Sequence, residues 1–154
     1  MSLLKSFFVV LGASLFLTAC SSVSVVDKQV YDEISKIGIS IDKGRPEQLY
    51  RQELQRMISR NGLQDQRYEL RSEITSSTGD NNMIMAVSFD LYDQSTGDVI
   101  LSHGFSSAAS IGGVSSTFGS SQAENHARER LSLSLAQKTF GQLMLFFTKR
   151  QNTP

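Results

Sequence analysis

The sequence predicts an α+β domain: a two-layer sandwich with two helices on one face of a four-stranded mixed sheet, in the order β-α-β-β-β-α. Three observations predict it. Two stretches repeat apolar residues at spacings of three and four, as a helix with one covered stripe does. Four stretches alternate apolar with polar or small residues, as a strand with one covered face does. Six elements with one apolar face each are all satisfied by two layers that share a core.

Ile37, Ile39 and Ile41 alternate with Gly38 and Ser40, which predicts a first strand at about 36–41. Its β-branched content agrees. Asp42-Lys43-Gly44-Arg45 is a turn. Pro46 suits the first position of a helix, and Glu47 suits its positive N-terminal end. Leu49, Tyr50, Leu54, Met57 and Ile58 share one face, so a helix is expected over about 46–60, closed by Asn61-Gly62. In the second strand Tyr68, Leu70, Ser72 and Ile74 alternate with Glu69, Arg71, Glu73 and Thr75. A charged alternate face implies a sheet with one wet side.

Residues 76–81 are polar and read as a loop. Met83, Met85, Val87, Phe89 and Leu91 form the apolar face of the third strand, with Ile84, Ala86, Ser88, Asp90 and Tyr92 opposite. Residues 93–98 form a tight turn in which Gly97 is available for positive φ. Val99, Leu101, His103 and Phe105 make the fourth strand. The Ser- and Gly-rich residues 106–122 read as a long loop carrying Ile111, Val114 and Phe118. A loop of that length needs a reason. Either the three large residues dock to a partner or they tuck back onto their own core. Ser121 and Glu124 fit a capping box, so the last helix is expected over about 122–147. Its stripe is Ala123, Ala127, Leu131, Leu135, Phe140, Leu143, Met144 and Phe147, and residues 151–154 are expected to fray.

Ahead of this domain stands Met1–Cys20. It has one charge, Lys5, an apolar run from Phe7 to Leu17, and the box Leu17-Thr18-Ala19-Cys20. A short basic start, an apolar core and a small residue before the cut describe an export signal. The apolar run is too short to span a bilayer comfortably. Cys20, the single cysteine of the chain, sits at the cleavage point, where a bacterial lipoprotein is lipidated. Residues 1–19 are therefore expected to be removed, residues 20–33 to be the lipidated N-terminus and tether, and residues 34–150 to be the domain. The resemblance of this stretch to a bacterial lipoprotein signal implies three acyl chains on Cys20, and stable anchoring takes more than one. Ser21 rather than Asp after the cysteine favours the outer membrane.

The mature chain would hold 14 basic and 15 acidic residues. That balance gives no electrostatic case for nucleic acid. With Cys20 modified no disulfide can form, so the core alone must hold the domain. No cofactor motif is present. His103 and His126 lack the companions of a metal site. No Gly-x-Ser-x-Gly elbow precedes a helix, and Gly112-Gly113 lacks the spacing of a phosphate loop. Lys43, Arg45 and Arg51 form a candidate basic patch for a phosphorylated glycolipid, although such residues are usually a solvated surface. The residues point to a lipid-anchored, non-enzymatic binding or scaffold domain.

Several stretches in order resemble the LptE family of lipopolysaccharide-assembly lipoproteins, in its divergent alphaproteobacterial form. They are Pro46–Leu54 closing in Asn61-Gly62, Tyr68-Glu69-Leu70, Phe89–Asp93 running into Ser95–Ile100, and the small-residue stretch leading to Ala123–Leu131. The resemblance spans most of residues 34–147 and rests on their order, since no single motif is specific. It implies a two-helix, four-strand sandwich. It also implies a partner, an LptD-like outer-membrane β-barrel that the lipoprotein plugs while lipopolysaccharide is inserted into the outer leaflet. The sequence departs from the family at Ile111-Gly112-Gly113-Val114, where an aromatic segment is usual, and is short at the C-terminus. An accessory or scaffold lipoprotein of another envelope transport complex is the alternative.

Overall fold

The computed structural model describes residues 28–41, 45–59, 65–79, 81–112 and 117–152. In chain order the elements are α1 (Lys28–Ile34), β1 (Ile37–Ile41), α2 (Arg45–Ile58), β2 (Tyr68–Thr78), β3 (Asn82–Asp93), β4 (Val99–Ser110) and α3 (Thr117–Gln151). The fold class is the expected one, with one helix added at the front. The sheet order is β1-β2-β3-β4. β1 runs parallel to β2, and β2-β3-β4 is an antiparallel meander.

Alternation along the strands sets the two layers. Ile37, Tyr68, Leu70, Met83, Met85, Val87, Phe89 and Leu91 are buried on one face. Against them pack Tyr50, Leu54 and Ile58 of α2, and Ala127, Leu131, Leu135, Leu143 and Phe147 of α3. At the middle of the interface the buried Tyr50 hydroxyl donates to Thr139 Oγ1 at 3.0 Å and lies 3.5 Å from Ser72 Oγ. Each buried polar group there has a partner, as a core requires. The turn after β3 closes through Gly97 N–H to Asp93 O at 2.8 Å, with Gly97 at φ 78°.

Four expectations need correction. The stretch 20–33 was expected to be tether, but Lys28–Ile34 is helical and buries Val30 and Ile34. The loop expected at 76–81 gives way to β2, which continues to Thr78 with Thr78 paired to Met83. The loop expected from 106 gives way to β4, whose residues 106–110 pair with Ala86 down to Asn82. Small residues have weak strand preference, and here the neighbouring strand's pairing decides the outcome. The last helix starts at Thr117, so Ser121 and Glu124 lie inside it and form no cap. It also runs to Gln151, past the expected stop at 147. Asn61 and Gly62 lie outside the described residues.

α1 is held by one ionic cluster at the start of β2. The Tyr68 hydroxyl donates to Glu33 Oε2 at 2.8 Å, and Lys36 Nζ donates to Glu33 Oε1 at 2.6 Å. Burial pushes the Glu33 carboxyl up, but these two bonds outweigh it and hold the group below its ordinary 4.5. Burial and the Glu33 bond push the Tyr68 phenol up to about 12. The lowered carboxyl stabilises the fold above pH 4.5 and that contribution is lost as pH falls through its folded value. The raised phenol stabilises it below pH 10 and is lost between 10 and about 12. A melting-temperature profile should therefore fall at both ends. Tyr68→Phe should shrink the alkaline fall, while Tyr50, also raised by burial, sustains the rest. An alkaline limb identical in wild type and Tyr68→Phe would contradict this role.

Candidate functional site

Two helices cover one face of the sheet, and among the described residues no element covers the other. Glu69, Arg71, Glu73, Thr75, Ser88 and Asp90 point outward, which the alternation of β2 and β3 requires. The registers line them into rows across the sheet. Ser40, Arg71, Asp90 and Ser102 occupy one row, and Glu73, Ser88 and Gly104 the next. Ser40, Arg71, Glu73, Ser88, Asp90 and Tyr92 border a shallow cleft of about 340 Å³.

Arg71 organises this face. It donates to Glu69 Oε2 at 2.8 Å, and its guanidinium carbon sits 4.4 Å from the centre of the Tyr92 ring. The bond from Arg71 holds the Glu69 carboxyl below its ordinary range. Exposed ion pairs contribute little to stability. The consequence here is order: the cation is held over an aromatic ring and bonded to a carboxylate. The face can offer hydrogen bonds and balanced charge to a partner. Among the described residues, no group of three or more His, Cys, Asp or Glu could hold a metal ion.

The residues singled out in the sequence fall in different places. Cys20, Lys43 and Val114 lie outside the described residues. Arg45 opens α2, and Arg51 is exposed on the same helix. Ile111 packs against the core and its N–H donates to Asn81 O at 3.0 Å. It thus follows the tucked-back alternative. Phe118 stands 76% exposed in the first turn of α3. His103 is on the inner face of the sheet, opposite Phe89, yet exposed, because β4 is an edge strand; its ring meets Phe105 at 4.7 Å and Phe89 at 6.2 Å. Sequence reasoning missed the exposed Leu145 and the half-buried Phe146 on α3. The signal was there: Leu143–Phe147 is apolar at five consecutive positions, more than one stripe uses.

No family model matches the chain, and no curated protein does. Solved structures do match. A protein of Caulobacter crescentus CB15 assigned as a lipoprotein superposes with a TM-score of 0.66 at 19% identity, over 79% of this chain and 97% of its own. A minor lipoprotein of Acinetobacter baumannii gives 0.59 at 19% identity, over 71% and 90%. This chain shares their fold. A Xanthomonas campestris protein of the DUF330 family gives 0.51 at 14% identity, over 77% and 85%. At such identities the likeness is one of architecture. The shared fold therefore supplies the two layers and the open sheet face, and the chemistry of that face must come from this chain's own side chains. Among the described residues no helix is long and apolar enough to cross a membrane, which says nothing of β-barrels.

Proposed function

We propose that this protein is an outer-membrane lipoprotein. Cys20 anchors it to the periplasmic face, and its domain docks without catalysis into an LptD-like β-barrel that inserts lipopolysaccharide. The uncovered polar face of the sheet carries this reading. Barrel lumens are polar, so a plug must offer hydrogen-bonding groups and paired charge rather than an oily patch. The row through Arg71 and Asp90 does so across four strands, and the row through Ser88 across three. Support for the anchor comes from the Leu17–Cys20 box and from two lipoproteins among the fold neighbours. Arg51 is the described side chain of the candidate glycolipid patch formed with Lys43 and Arg45.

One observation favours a second reading. The segment after β4 lacks the family's aromatic residues, and Ile111 turns to its own core. An accessory or scaffold lipoprotein of another envelope complex fits that departure. Affinity capture of the tagged protein from solubilised envelopes separates the two. Recovery of a large outer-membrane barrel supports the first, and recovery of an inner-membrane transporter supports the second.

The exposed Phe118 sharpens the test. Truncating an aromatic anchor at an interface costs about 2 kcal/mol or more, and an exposed charge about a few tenths. Phe118→Ala should weaken barrel capture, while Glu69→Ala leaves it nearly unchanged. The isolated domain should keep its stability within about 0.5 kcal/mol in both, as surface changes do. A melting temperature that drops by several degrees in Phe118→Ala, with capture intact, would remove Phe118 from the interface.

A further inference from the structure

We infer that the C-terminal end of α3 is a second membrane contact, seated on the same bilayer that holds Cys20. The occupant is a glycerophospholipid surface with anionic headgroups. This rests on Cys20 being the lipid anchor, as proposed above.

The apolar part comes from the surplus in Leu143–Phe147. Leu143 and Phe147 are buried in the core, but Leu145 is 66% exposed. Leu145 and Phe146 join Leu101 of the edge strand β4 to line a mainly apolar groove, with Lys149 at its rim. The exposed Leu145 beside the partly buried Leu101 and Phe146 leaves apolar surface for a contact. Lys149 is exposed at this groove, and Arg150 is exposed at the neighbouring cleft. Apolar side chains rimmed by cations suit the boundary between headgroups and acyl chains, where burial and attraction to anionic lipid act together. Among the described residues no helix could cross the membrane, so the contact is interfacial.

The position of the anchor selects this end of the domain. Seven residues, 21–27, separate Cys20 from the start of α1 at Lys28. Even fully extended, that link reaches no more than about 29 Å. Gln29 of α1 lines a cleft together with Phe147, Arg150 and Gln151 of α3. The rings of Phe147 and Phe146 are 5.1 Å apart, and Phe146 lines the apolar groove. The chain therefore enters the domain about one helix width, 10–12 Å, from the groove. The opposite end of α3, at Thr117, stands about 42 Å from Leu145 along the helix, beyond the reach of the link.

The chain contains no Trp, so one introduced indole reports alone. Leu145→Trp and, as a control near the far end of α3, Gln122→Trp are placed in the full-length protein. Each mature product is reconstituted in phosphatidylethanolamine–phosphatidylglycerol vesicles, with or without lipid brominated in the upper acyl chain. Mass spectrometry of the N-terminus reports acylation. The expected result is blue-shifted emission from L145W that is lost in brominated lipid, with Q122W emission retained. Acylated L145W that bromine does not quench overturns this inference alone. Equal quenching of both variants overturns it too. So does a blue shift that bromine leaves unchanged, which would show a second copy covering the groove. A product without acyl chains overturns the anchor and this inference together.

Discussion

Phe147→Ala should remove about 3–5 kcal/mol from the stability of the domain. Phe147 is buried to 2% exposure and its ring centre lies 5.3 Å from that of Tyr68. It joins the last turns of α3 to the start of β2, and α1 docks beside it. Truncation opens a cavity that Tyr68 cannot close, since its hydroxyl is held by Glu33. A typical domain has about 5–15 kcal/mol in total, so the loss is a large share. The denaturant midpoint should fall steeply while the slope stays constant. A change below about 1 kcal/mol would mean that the end of the sandwich collapses around the cavity or that Phe147 does not hold it.

Cys20→Ser should abolish anchoring altogether. In the proposed anchor the thiol accepts the first lipid, and Ser lacks its nucleophilicity. Incorporation of labelled palmitate should drop to background and the uncleaved precursor should accumulate. The domain itself should fold normally, because its core is built from Val30 onward. Label retained by the serine variant would place the lipid elsewhere or rule out the signal at Leu17–Cys20.

The central strand was the most legible part of the sequence. β3 has a neighbour on both sides and helices on one face, so every second residue from Met83 to Leu91 had to be apolar. α2 was legible for the same reason, through Tyr50, Leu54 and Ile58. α1 escaped because it is two turns long and shows only Val30 and Ile34 to the core. Its helix is secured by Glu33, Lys36 and Tyr68, and Tyr68 is remote in sequence. The second half of β4 escaped because Ser and Ala carry no alternation to read. Its strand is made by pairing with Asn82–Ala86. Lys138 of α3 then ties it down, donating to Ser106 O at 3.0 Å and Ser107 Oγ at 2.7 Å. Likewise Ser121 looked like a cap, yet α3 begins one turn earlier.

The open face was half legible. Alternating charge on β2 announced a wet side, but the placing of Arg71 over Tyr92 depends on a register between two strands. No local pattern encodes that register; it follows from which faces the two helices bury.

The most direct test of a sheet face that docks to a barrel lumen is a photocrosslinking residue at Ser88. This position is exposed and central on that face, between Glu73 and Gly104 of the neighbouring strands. Irradiation of living cells should join the protein to one large outer-membrane barrel, identified by mass, while the same probe at the buried Leu135 gives no adduct. An adduct at Ser88 with an inner-membrane transporter, or none at all in cells where the protein is anchored, would contradict the proposal.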